Sequence, residues 1–110
     1  MEHLLEIALE AANEKKAINP VILDLRNLSG VTDFFLVCSG QSQVQVRSIA
    51  DNILDKAQEC GLKLPSKEGY QNGLWVLLDF GQLVIHILQD REREFYCLEQ
   101  LWHEAKVVEI

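Results

Sequence analysis

The chain has few of the residues that cross-link or interrupt small proteins. Its 110 residues include three cysteines, two prolines and six glycines. If two of Cys38, Cys60 and Cys97 paired, one thiol would be left over, and none of them lies in a C-x-x-C motif. We interpret this as a protein of a reducing, cytoplasmic compartment with no disulfide framework. The length predicts a single compact domain over residues 1–110.

Long apolar runs and an excess of basic charge are also missing. No stretch approaches the roughly 20 apolar residues that span a bilayer, and residues 1–6 are acidic where a signal peptide is basic. We therefore expect no membrane contact. Seventeen acidic against ten basic residues give a net charge of −7. This charge repels phosphate backbones, so we do not expect nucleic acid to be the main direct contact. A basic partner is attracted instead.

Hydrophobic periodicity predicts two well-defined helices. Apolar residues recur at helical spacing over about 2–16 and again over 46–57. Ser42 and Gln45 form a capping box before the second helix, and Gly61 stands where its C-terminal cap belongs. A row of glutamates along the first helix is either a solvated face or a stripe that faces a partner.

The remaining pattern predicts a mixed sheet. Asn19-Pro20 ends the first helix before a strand at 21–25, and the nearly continuous apolar segment 34–39 is typical of a central strand. The other predicted elements are a short edge strand at 62–64, a loop at 66–73, strands at 74–79 and 82–88, and a closing helix marked by Phe95, Leu98, Leu101, Trp102 and Ala105. The order α-β-β-α-(β)-β-β-α predicts an α/β (α+β) fold with helices covering a mixed sheet.

The last two strands are predicted to form a hairpin with Phe80-Gly81 as its two-residue loop. This register places Trp75 opposite His86. Because side chains alternate between faces, one face is wholly aliphatic and is expected to pack under helices. The other face carries Trp75, Leu77, Asp79, Gln82, Val84, His86 and Leu88. Amphipathic aromatic rings among polar groups are typical of protein interfaces, so we expect this face to be an open binding surface.

Three patterns could indicate chemistry. Residues 40–42 join a strand to a helix and could present N–H groups to an anion, although helix capping explains the same residues. The layout resembles that of nucleotidyltransferase-type sheets, but no D-x-D or D-x-E follows on a strand to hold a divalent metal. Cys38, His86 and Asp79 form a thiol triad only if the sheet brings them together. We predict that the protein is not an enzyme and has no catalytic residue, metal site or cofactor.

His86 has two further interpretations that both stay open. A histidine within an apolar strand is often a hydrogen-bonded structural residue, whereas its place beside an aromatic ring fits an interface. No second histidine or cysteine stands at metal-ligand spacing from it.

A series of short motifs runs through nearly the whole chain. They are TDFFLVCSG at 32–40, IAD at 49–51, EG at 68–69, WVLLDFG at 75–81, VIHI at 84–87 and REFYxLExLW at 93–102. In this order, from about residue 4 to residue 103, they resemble the ribosomal silencing factor family, also called Iojap-like. Gln82 departs from the pattern, because the family usually has an acidic residue after the hairpin glycine.

The resemblance implies a nucleotidyltransferase-like fold without nucleotidyltransferase activity. It implies binding to the large ribosomal subunit at ribosomal protein L14, which blocks association with the small subunit and represses translation under nutrient limitation. It also implies a homodimer when the protein is free. The resemblance and the hairpin register together select six candidate partner-binding residues: Trp75, Leu77, Asp79, Val84, His86 and Glu68. A generic homodimeric binding module and a nucleotidyltransferase-like enzyme are the alternative functions.

Overall fold

The computed structural model describes residues 2–27, 32–96 and 106–108. The helices are α1 (Glu2–Glu14), α2 (Gln43–Glu59) and α3 (Asp90–Tyr96). The strands are β1 (Ile18–Asp24), β2 (Phe34–Gly40), β3 (Ser66–Glu68), β4 (Trp75–Asp79), β5 (Leu83–Gln89) and β6 (Lys106–Val108). The predicted mixed α/β fold is confirmed. None of the helices in these ranges has the length and apolar character needed to cross a membrane.

The strands form one mixed sheet in the order β3-β4-β5-β2-β1-β6. β2 and β5 pair in parallel at its centre, and the other neighbours pair in antiparallel fashion. The prediction that 34–39 is a central strand is confirmed. The outer strand β3 has only three residues, which shortens the edge at which another chain could add a strand.

One face of the sheet packs against α1 and α2 to form the hydrophobic core. Its fully buried side chains include Leu36, Val76, Leu78, Leu83, Ile85 and Ile87. They pack with Leu5, Ala8 and Ala12 of α1 and with Val46, Ile49 and Ile53 of α2. The aliphatic hairpin face therefore lies under helices, as predicted, and each fully buried leucine or isoleucine contributes about 1.5–3 kcal/mol.

The start of α2 uses the polar residues that suggested an anion site. Ser42 Oγ accepts from Gln45 N at 3.1 Å, as a capping box predicts. The second hydrogen bond of a capping box, from the N–H of the capping residue to the side chain three residues later, differs here. Gln45 Oε1 accepts from Gln41 N at 2.7 Å instead of from Ser42 N. Gln45 Nε2 also donates to the carbonyl groups of Lys15 and Lys16. These residues begin α2 and attach it to the end of α1.

The boundary between α1 and β1 differs from the prediction. α1 ends at Glu14, two residues early, and Lys16 has a positive φ of 61°. β1 begins at Ile18 and includes Asn19 and Pro20, which were expected to precede it. Its register with β2 is irregular between Ile18 and Val21. Such an irregularity accommodates Pro20, which has no N–H to give to the ladder.

The β4–β5 hairpin also has a different register from the predicted one. Phe80 N donates to Leu83 O at 2.8 Å, so the loop is Gly81-Gln82. Gly81 has a φ of +92° and occupies the first loop position, as in type II′ turns. Trp75 lies opposite Leu88, not opposite His86. The shift is two residues, so every strand side chain stays on the face predicted for it.

The outer strands were not predicted correctly. The third strand is Ser66–Glu68, within the predicted loop, and not 62–64. β6 was not predicted at all. The closing helix begins at Asp90, while Cys97, Leu98, Leu101, Trp102 and Ala105 lie outside the described residues.

Candidate functional site

The second face of the sheet carries the predicted partner-binding residues. Leu77 pairs with His86 on one side and with Glu68 on the other, and Asp79 pairs with Val84. Residues directly opposite in a ladder share a face. One face of three adjacent strands therefore contains Glu68, Trp75, Leu77, Asp79, Val84 and His86, which we call the Trp75 face.

Exposure across the Trp75 face falls from the edge of the sheet to its centre. The two acidic residues are exposed, and Trp75 and Leu77 are half-buried. Val84 and His86 are buried, with 7% and 5% of their surface exposed. The expectation of an open surface is therefore wrong for Val84, His86 and the fully buried Leu88, because β5 lies between β2 and β4 and neighbouring side chains enclose it. The part that another protein can reach lies on β4 and β3.

His86 lies between two aromatic rings. Trp75 Nε1 donates to His86 Nδ1 at 3.1 Å. Phe35 on β2 meets the imidazole edge to face, with ring centroids 4.5 Å apart. Trp75 and Phe35 also pack against the buried Val37 and Leu88. These residues form a small apolar cluster on the Trp75 side of the sheet, separate from the helix-covered core.

The hydrogen bond from Trp75 determines the tautomer of His86. Burial lowers the pKa of His86 from 6.5 to about 4, so the ring is neutral near pH 7. Because Nδ1 accepts the indole hydrogen, the proton of the neutral ring is assigned to Nε2. Nε2 is buried and has no hydrogen-bond partner among the described residues. An unsatisfied buried donor costs about 1–3 kcal/mol of stability.

The exposed edge of the Trp75 face is acidic. Asp79 Oδ1 accepts from Gly81 N at 2.7 Å, so this carboxylate supports the hairpin loop as well as carrying charge. Glu68 is exposed on β3. Lys67, which precedes Glu68 on β3 and pairs with Leu78, lies on the opposite face of the sheet. Its ammonium lies 4.3 Å from the centre of the Tyr70 ring. The negative charges of this edge are therefore available to a basic partner.

Sequence reasoning missed two features on this side of the sheet. One is Phe35, although two adjacent phenylalanines in a strand necessarily place one ring on each face. The other is a polar cluster at the start of α3. Ser39 Oγ donates to Asp90 Oδ1 at 3.3 Å, and Arg93 Nη1 donates to Ser39 Oγ at 3.3 Å and to Ile18 O at 3.0 Å. No local pattern signals this cluster, because it joins three separate segments of the chain, at Ile18, at Ser39 and at the start of α3.

The sheet separates the members of the possible thiol triad. Cys38 lies on the helix-covered face of β2, whereas His86 and Asp79 lie on the Trp75 face. Burial raises the pKa of Cys38 to about 12, so the thiol stays protonated. Across residues 2–27, 32–96 and 106–108, no three His, Cys, Asp or Glu side chains are grouped so that they could hold a metal ion.

Comparison with known proteins decides the family. The family model described as "Ribosomal silencing factor during starvation" matches residues 1–110. The chain belongs to this family. Ribosomal silencing factor RsfS of Halalkalibacterium halodurans is 41% identical over 109 residues, which cover 99% of this chain and 93% of that protein. The chloroplastic protein Iojap of Zea mays is 34% identical over 101 residues, covering 92% of this chain and 44% of that protein.

The fold of this chain is also seen in a similar solved structure. A crystal structure from Bacillus halodurans has a TM-score of 0.88 at 40% identity and covers 100% of both chains. The family resemblance inferred from the motifs is confirmed by these matches. The Trp75 face is thus a surface of a chain that belongs to the ribosomal silencing factor family.

Proposed function

We propose that the protein binds the large ribosomal subunit at ribosomal protein L14 and prevents the small subunit from joining. Translation is thereby repressed when nutrients are limited. The observation that carries this proposal is the match to the silencing factor family over residues 1–110. In this proposal, the contact is made by the accessible part of the Trp75 face.

The composition of the Trp75 face supports a protein contact. Trp75 and Leu77 are half-buried at the edge, so part of their apolar surface is still in water. Aromatic residues near the centre of an interface often dominate its binding energy. The exposed carboxylates of Glu68 and Asp79 favour a basic partner, and their attraction acts mainly on the association rate.

Steric occupancy accounts for the block of subunit joining without a chemical step. The protein measures 35 × 34 × 23 Å along its principal axes. Contacts between two surfaces require approach to about 4 Å, so a bound body of this size keeps the subunits apart at its site. We therefore propose a cytoplasmic, single-domain, non-enzymatic protein that needs no cofactor. Its net charge of −7 argues against nucleic acid as the main contact.

We also propose that the free protein is a homodimer. The support is the partly exposed apolar surface of Trp75 and Leu77, since covering it with a second copy removes it from water. Sedimentation equilibrium should show twice the monomer mass in the absence of ribosomes. A monomer at all concentrations tested would contradict the dimer without affecting the ribosomal role.

The ribosomal role is tested by sedimentation with separated subunits in a sucrose gradient, at low and at physiological salt. We expect the protein to move with the large subunit and not with the small one. Val44→Ala is a matched control, because Val44 is 69% exposed on α2, on the opposite side of the sheet. It should bind normally, whereas Trp75→Ala should be released. Failure of the unaltered protein to bind the large subunit at either salt concentration would reject the proposal.

A further inference from the structure

We propose that His86 is a positioning residue, whose Nδ1 accepts the indole N–H of Trp75 and holds that ring in the orientation that contacts the partner. The inference rests on the proposed function, because it assigns a role within the same contact. His86 itself is 95% buried, so it acts through Trp75 and not by touching the partner.

The geometry of the cluster shows why the indole needs such a support. Trp75 lies on β4, near the edge of the sheet, and is only half-buried. A partly exposed side chain loses conformational freedom when a partner binds it, and this loss weakens binding. The 3.1 Å bond to His86 fixes the ring before binding occurs.

The imidazole is itself held firmly enough to position another ring. Phe35 packs against it edge to face at a centroid distance of 4.5 Å. His86 lies on β5, a strand that is paired with β2 on one side and with β4 on the other. An imidazole so confined offers Nδ1 in one direction only, toward Trp75.

A purely structural role explains the residue less well. Among the described residues, the second ring nitrogen, Nε2, is buried without a partner, and such a group lowers stability. A phenylalanine of similar shape would fill the same space without an unsatisfied donor. The feature that phenylalanine could not reproduce is the acceptor for the indole.

Two substitutions separate the acceptor from the packing. His86→Phe keeps an aromatic ring and removes the acceptor. His86→Asn keeps an acceptor oxygen near the position of Nδ1 and removes the ring. Folding stability is measured by urea denaturation, and Kd is measured by titration with isolated large subunits. The indole N–H resonance of Trp75, identified by its absence in Trp75→Phe, is followed in ¹⁵N-labelled protein.

Positioning predicts that the two substitutions have opposite effects on stability and binding. His86→Phe should be as stable as the unaltered protein or more so, yet its Kd should rise roughly tenfold, the value of one hydrogen bond. Its indole signal should move to the position of a solvent-bonded N–H and exchange faster. His86→Asn should be less stable, while its Kd and indole signal stay closer to those of the unaltered protein. If His86→Phe fails to fold because the ring is too large, His86→Leu removes the acceptor with a smaller side chain.

Two results would overturn the inference in distinguishable ways. If the unaltered protein binds and His86→Phe or His86→Leu binds equally well, His86 does not position Trp75, although the proposed function stands. The same holds if binding follows stability, with His86→Asn the weakest binder. If the unaltered protein does not bind the large subunit, the proposed function fails and this role of His86 fails with it.

Discussion

Trp75 is the residue that tests the proposed contact most directly. It combines a large apolar area with a fixed orientation and lies where another protein can reach it. We expect Trp75→Ala to weaken binding to the large subunit by about 2 kcal/mol or more, roughly a 30-fold increase in Kd. Titration of labelled protein with isolated large subunits measures this change. An unaltered Kd in a folded Trp75→Ala protein would place the contact elsewhere on the molecule.

His86 makes folding stability depend on pH. Its pKa is about 4 in the folded protein, against 6.5 when exposed, so the unfolded chain binds the proton more readily. The stability that follows from the neutral ring is complete above about pH 6.5 and is lost as the pH falls toward 4, by up to ~3 kcal/mol. The side chains paired with it across the ladder, Val37 and Leu77, carry no charge that would offset this loss.

The pH effect is measured by urea denaturation between pH 7 and pH 4. His86→Phe is the control, because it lacks the titrating ring but keeps the other titratable groups. The difference in unfolding free energy between the two proteins should shift in favour of His86→Phe as the pH falls. Parallel pH profiles would show that the imidazole is not neutral and buried in solution.

Of the two properties predicted for Trp75 and His86, their shared sheet face and their cross-strand pairing, the sequence was sufficient for the first only. Their shared face followed from alternation alone and was correct. Their pairing was wrong, because a glycine suits more than one position in a two-residue hairpin loop. The same two residues are nevertheless neighbours on the diagonal, and the indole is long enough to bond across it.

At the scale of elements, prediction succeeded where the pattern was long. α1 and α2 have many apolar residues at helical spacing, and the central strands β2 and β5 are nearly continuous apolar runs, so burial determines the type and position of these elements. β3 has three residues, all exposed, and hydrogen bonds to β4 are what define it. The place of β6 beside β1 depends on a contact between distant parts of the chain.

Adjacent leucines on β4 test the assignment of the two sheet faces. Leu78 is fully buried in the helix-covered core, and Leu77 is half-buried on the Trp75 face. We expect Leu78→Ala to lower the free energy of unfolding by roughly 2–5 kcal/mol, while the folded fraction binds the large subunit normally. Leu77→Ala should lose less stability and bind more weakly. Urea denaturation and subunit titration of both variants check this, and reversed effects would mean that the other face makes the contact.

At the scale of the whole molecule, charge should govern how fast the partner is found. The net charge is −7, and Asp79 and Glu68 stand at the exposed edge of the Trp75 face. We expect the association rate with the large subunit to fall as salt rises, with little change in the dissociation rate. Asp79→Asn should reduce this salt dependence, because it removes one charge but keeps an oxygen for the Gly81 N–H. Stopped-flow measurements at several salt concentrations check both rates, and a salt-independent association rate would contradict the electrostatic attraction.

The size of the molecule leads to a further prediction about how subunit joining is inhibited. A body of 35 × 34 × 23 Å on the joining surface excludes the small subunit by occupying its space, so the two compete for the same large subunit. In a competition of this kind, the amount of protein that halves the yield of joined ribosomes rises linearly with the free small-subunit concentration, starting from the protein's own Kd. Light scattering during joining, at several small-subunit concentrations, measures that midpoint. A midpoint that stays constant would mean that the protein alters the large subunit from a distance and does not block its surface. Trp75→Ala should shift every midpoint upward by the same factor as its Kd, because occupancy is the only source of inhibition.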